Sequence, residues 1–226
     1  MRISIFGDSI LEGVRLEKGR YVRSTELIQQ FQSENNVELN NKSRFGATIG
    51  RGLRSLHKSL EKGNLGEYTV IEFGGNDCNH NWAQVAQNPS QQHICATPEE
   101  EFERQYVQMI QEIRGADSIP VAATLPPISA EHYLDWICRT GLDRQAILQW
   151  LGGVQTLARR QALFNDISRN VAQKMECPVL DLRGAFPEKQ EKTEQYLCRD
   201  GIHPNFQGQQ LIYNRFSEAV AAMKAS

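Results

Sequence analysis

Apolar residues recur along this chain in two rhythms, and the rhythms alternate. Compact runs of strand length and composition occupy Arg2 to Phe6, Val37 to Asn41, Tyr68 to Phe73, Pro120 to Thr124 and Pro178 to Leu182. Between them the apolar positions fall three and four residues apart, the spacing that lines one face of a helix. Leu27, Ile28 and Phe31 form one such stripe, Leu53, Leu56 and Leu60 a second, and Phe102, Tyr106, Met109 and Ile113 a third. Pro98-Glu99-Glu100 opens the third helix, with proline at the first turn and acids near the positive helix end. A long helix is expected through Arg159, Phe164 and Val171, and a last one after His203-Pro204 would bury Leu211, Ile212, Phe216 and Val220. Strands alternating with helices predict a parallel sheet: a three-layer α/β/α sandwich on a doubly wound, flavodoxin-like five-stranded sheet. Right-handed crossovers then bring successive strand ends to one rim, where such sheets place their ligands.

Four of these strands lead into segments that are polar or rich in glycine. The first runs into Gly7-Asp8-Ser9, the second is succeeded by Phe45-Gly46-Ala47-Thr48, the third by Gly74-Gly75-Asn76-Asp77, and the last by a loop containing Asp200-Gly201-Ile202-His203-Pro204. A serine is a weak nucleophile at neutral pH until a base takes its proton. An aspartate and a histidine three residues apart supply that base and the group that orients it. The pattern predicts a hydrolase in which Ser9, Asp200 and His203 act together. Each residue also has a plainer reading. Ser9 suits a helix N-cap, Asp200 a turn, His203 the surface ahead of a proline-started helix, and Gly46 and Asn76 ordinary turns. Asp8 and Asp77 are expected to hold these turns through backbone N–H groups, outside the catalytic set.

In order and residue type the blocks resemble the SGNH hydrolases, also known as GDSL esterases and lipases, a family named for a Ser, a Gly, an Asn and a His in four blocks. Gly7-Asp8-Ser9-Ile10 is similar to the first block, with Ile where Leu is usual. Gly74-Gly75-Asn76-Asp77 matches Gly-x-Asn-Asp, Asp200 to Pro204 matches Asp-x-x-His-Pro, and Gly46 is the counterpart of the second-block glycine. The resemblance extends from Ser9 to His203. It implies attack by Ser9 on an ester carbonyl, and an oxyanion hole made by the backbone N–H groups of Ser9 and Gly46 with the side-chain amide of Asn76. The family acts on acetylated sugars, lysophospholipids, thioesters and simple esters. The expected partner is therefore a small-molecule ester of small or medium acyl length, an acetylated carbohydrate or lysophospholipid-type ester among the options, with no cofactor.

Length fits one domain over residues 1–226, carrying inserts at about 78–97 and 126–153 that exceed what the scaffold needs. Loops of this length at a sheet rim are more often functional than idle, so His80, Trp82, Tyr133 and Trp136 are expected to line a substrate cleft. Cys78-x-His80 and His93-x-Cys95 offer four borderline zinc ligands, but their one-residue spacing is unlike the usual pairs, and no metal is expected. The five cysteines form no Cys-x-x-Cys pair and read as reduced thiols.

A net charge of −2 with dispersed Lys and Arg gives no electrostatic footprint for nucleic acid. No basic stretch with an apolar core precedes the first strand, and no apolar run approaches a membrane span, so no integral membrane association is expected and the expected location is cytoplasmic. Oligomeric state is not encoded in any recognisable pattern. Two competing functions stay open: an acyltransferase using the same site, and a phosphate-binding module in which Gly7-Asp8-Ser9 opens a helix.

Overall fold

The five apolar runs become one sheet, and the helical stripes cover it. In the computed structural model, which describes residues 1–225, the chain runs β1 (Arg2–Gly7), β2 (Val14–Glu17), β3 (Arg20–Arg23), α1 (Glu26–Asn35), β4 (Glu38–Asn41), α2 (Ile49–Leu60) and β5 (Tyr68–Glu72). It continues through α3 (Trp82–Gln87), α4 (Glu99–Gly115), β6 (Ile119–Ala123), α5 (Ala130–Cys138), α6 (Arg144–Leu151), α7 (Thr156–Lys174), β7 (Val179–Leu180), α8 (Gln190–Thr193) and α9 (Phe206–Ala225). The large sheet has the order β4-β1-β5-β6-β7 and every pairing in it is parallel. The chain thus winds outward from β1 first one way and then the other. Ser9 and Asn76 leave the ends of β1 and β5, the pair at which the winding reverses and a crevice opens.

Successive side chains of the central strands enter opposite layers, as the two-residue strand period requires. Phe6, Ile71 and Ala122 join Leu53, Leu56, Phe102, Tyr106, Met109 and Phe164 on one face. Ile3, Ile5, Val70, Val121 and Ala123 meet Phe31, Ile212, Phe216 and Val220 on the other. Leu56 and Phe102 are fully buried, each contributing roughly 1.5–3 kcal/mol by leaving water. The two inserts build a third, smaller apolar cluster, in which Val85 packs with Leu134, Ile137, Ile147 and Leu151.

Four local features depart from the sequence expectation. Val14–Arg23 forms a two-stranded antiparallel hairpin. Its two-residue turn, Lys18-Gly19, takes positive φ at both positions (47° and 81°), the geometry whose twist matches a hairpin. No helix begins at Ser9: residues 9–13 make turns that lead into β2, which removes both the N-cap reading of Ser9 and the helix start that a phosphate site would use. The last strand of the sheet spans two residues, because the Leu182 N–H bonds the Leu180 carbonyl and turns the chain away. Pro98 stands at the N-cap of α4 instead of inside its first turn.

Candidate active site

Ser9 and His203, 194 residues apart, meet at the rim. Ser9 Oγ lies 2.8 Å from His203 Nε2, and His203 Nδ1 lies 2.8 Å from Asp200 Oδ2. The other Asp200 oxygen accepts the backbone N–H groups of Ile202 and His203, each at 3.1 Å. Burial alone would raise the Asp200 carboxyl, but bonds from the His203 ring and from these backbone groups outweigh it and hold the carboxyl below its ordinary value. An ionised Asp200 fixes the ring proton on Nδ1, which leaves Nε2 as an acceptor for the Ser9 hydroxyl. The loop itself is pinned. Leu197 and Pro204 form a β-bridge, the Cys198 N–H bonds the His203 carbonyl, and the Ser129 N–H from the second insert bonds the Gly201 carbonyl.

Ser9, Gly46 and Asn76, the residues expected to supply the oxyanion donors, line one cavity. Gly46 takes φ +68°, a conformation that suits glycine, and space is open where a Cβ would project. Among the described residues no protein acceptor takes the N–H of Ser9 or of Gly46. Asn76 is differently placed: its Nδ2 donates to Asp8 Oδ2 at 2.8 Å and to the Ala47 carbonyl at 3.1 Å. Both amide hydrogens are engaged, so an oxyanion would draw one away from the longer bond. Asp8 also receives the Ile10 N–H at 2.9 Å, and Asp77 receives the Ile49 N–H at 3.0 Å and the Thr97 hydroxyl at 2.6 Å. These two aspartates tie the glycine turns together. Glu72, which the sequence hides inside an apolar run, is fully buried beneath them and accepts the Asp8 N–H at 3.2 Å. Burial, then the neighbouring Asp8 charge, push its carboxyl well above the ordinary range.

A cavity of about 340 Å³ opens over this group and is lined by Ser9, Gly46, Asn76 and His203 together with the cleft candidates His80, Trp82, Tyr133 and Trp136. Asn79 Oδ1 joins the walls by accepting from Trp82 Nε1 at 2.8 Å and from the Tyr133 hydroxyl at 2.9 Å. The profile of the GDSL-like Lipase/Acylhydrolase family matches residues 5–211. The chain belongs to that family.

Solved structures agree with this GDSL hydrolase in fold. A lipase/acylhydrolase from Enterococcus faecalis is 21% identical with a TM-score of 0.68, covering 98% of this chain and 96% of its own. An alpha/beta hydrolase enzyme from the metagenome of Lake Arreo, Spain, is 22% identical with a TM-score of 0.67, covering 97% and 94%. An acetylxylan esterase from Geobacillus stearothermophilus, solved as a catalytic mutant, is 16% identical with a TM-score of 0.66, covering 97% and 93%. A comparison with curated proteins returned no match.

Several residues of the GDSL hydrolase site escape sequence reasoning. Tyr21, carried by the unexpected hairpin, has its ring 5.0 Å from that of His203, and Phe45 stacks on the same imidazole at 5.8 Å. Burial and then the Asp200 charge push the Tyr21 hydroxyl up to about 12. The Lys18-Gly19 turn after the alternating tetrad Val14-Arg15-Leu16-Glu17 was the available signal for the hairpin. Arg139 and Arg160 also line the cavity, and nothing in their local sequence marks them. The cysteines and histidines weighed as zinc ligands each bond elsewhere: Cys78 to the Gly75 carbonyl, His80 to Arg160, His93 to the Asn88 carbonyl and Cys95 to the Thr97 carbonyl. Among the described residues no group of three or more such side chains converges.

Proposed function

We propose that this GDSL hydrolase cleaves small or medium acyl esters through an acyl-enzyme on Ser9. The reading is carried by one observation, the unbroken path from Ser9 Oγ through the His203 ring to Asp200 at 2.8 Å per step. As Oγ attacks the ester carbonyl, its proton passes to His203 Nε2, and Asp200 stabilises the resulting imidazolium. Charge developing on the carbonyl oxygen is received by the Ser9 and Gly46 N–H groups and by Asn76. Collapse of the intermediate expels the alcohol, which takes the proton from Nε2. Water then repeats the sequence on the acyl-enzyme and releases the acid. A cavity of about 340 Å³ supports a modest acyl or alcohol group, being near the lower end of small-molecule sites.

Ser9→Ala tests this directly with a 4-nitrophenyl ester series from acetyl to octanoyl. Hydrolysis should fall to background at every length while thermal unfolding stays close to that of the parent. Parent-level turnover by the variant would remove Ser9 from the chemistry.

A further inference from the structure

The charges around the cavity are not balanced. Its acids, Asp8 and Glu72, lie deep beside Ser9, whereas Arg139 and Arg160 belong to the walls supplied by the second insert and α7. Among the described residues neither arginine forms an ion pair with a carboxylate. Arg160 lies over the Trp150 ring at 4.7 Å and bonds His80 Nε2 through Nη1 at 2.9 Å. A guanidinium only donates, so His80 accepts and its ring is neutral. Burial first and Arg160 second lower the His80 imidazole to about 4, which keeps it uncharged at working pH. The side chain that Arg160 bonds therefore carries no charge. The Arg160 Nε is buried without a partner among the described residues, and with Nη1 committed to His80 the donor left to meet a ligand is Nη2. It can donate a charge-assisted hydrogen bond to an oxygen of a carboxylate or phosphate. Arg139, stacked on Trp136 at 3.9 Å, adds positive potential to the same space.

We propose that the cleft selects esters bearing an anionic oxygen group, carboxylate or phosphate, and that Arg160 is the residue that receives it. The inference rests on the esterase reading and specifies its substrate class. An anion at Arg160 supplies the missing counter-charge, which a neutral acyl chain does not.

The test compares kcat/KM for 4-nitrophenyl valerate with that for mono-4-nitrophenyl glutarate, which has the same chain length with a terminal carboxylate. A phosphate-terminated analogue forms a third arm, and phenyl acetate against its 4-carboxylate derivative places the charge on the alcohol side. The parent should favour at least one charged ester by about 10- to 100-fold, chiefly through KM. The ratio should fall at least about tenfold in Arg160→Gln, keep an intermediate value in Arg160→Lys, and shrink in high salt as a charge contact does. A parent that shows no preference for any charged ester overturns the proposal, as does a preference that survives in Arg160→Gln. The salt arm uses the parent alone, and a preference for the charged ester that does not shrink in high salt overturns the proposal even if a variant fails to fold. Loss of the esterase reading would look different, with Ser9→Ala still hydrolysing the valerate ester.

Discussion

Asn76→Ala separates the proposed oxyanion role of this residue from its scaffolding role. The side chain donates to Asp8 Oδ2 at 2.8 Å and to the Ala47 carbonyl at 3.1 Å, so the substitution removes two bonds that hold the β5 turn against those after β1 and β4. Their net contribution to stability is about 1–3 kcal/mol, or roughly 2–12 °C in Tm for a chain of this size. The catalytic effect is larger. Removing one oxyanion donor lowers turnover by about 10²- to 10³-fold, which corresponds to about 2.7–4 kcal/mol of transition-state stabilisation. Because that donation strengthens only as charge develops, kcat should carry the loss and KM should move little. Steady-state kinetics with 4-nitrophenyl acetate well below the lowered Tm, beside a urea melt of both proteins, gives the two numbers independently. A variant that loses the expected stability but keeps kcat within about fivefold of the parent would refute the oxyanion role and leave Asn76 as a turn brace.

Asp77 offers a pH test. Burial pushes its carboxyl up from 3.8 to about 6 despite the bonds it accepts from Thr97 and Ile49. The folded state therefore keeps the proton longer than the unfolded chain, and stability from this group declines as pH rises between about 4 and 6, by roughly 3 kcal/mol in total. The unfolding free energy of the parent relative to Asp77→Asn should fall across that window in urea titrations, and a difference that rises or stays flat would contradict it. Gly52→Ala tests the packing of α2 on the sheet. The change favours helix by about 1 kcal/mol, yet the new Cβ would lie 2.2 Å from Phe73 Cζ. The clash should win, with a net loss of about 1–3 kcal/mol in thermal unfolding, and a raised Tm would count against it.

The chain alone determined the α/β class, the five parallel strands and the turns that carry Ser9, Gly46, Asn76, Asp200 and His203. Those features are written locally, in a two-residue or three-to-four-residue apolar period and in turn residues of fixed spacing, so they can be read without knowing what packs against what. Glu72 shows where that reading stops. One carboxyl at the end of an apolar run looks like a strand boundary, and only burial beneath Asp8 gives it a raised pKa and a place at the cavity floor. Tyr21, Phe45 and Arg160 were likewise decided by the tertiary structure, since each matters through a ring or guanidinium contact with a residue 80 or more positions away or across separate elements. Local periodicity encodes which face of an element is apolar. Which side chains from a hairpin, an insert and α7 converge on one imidazole or one cavity is set by chain closure over long separations, a property that no short stretch of sequence contains.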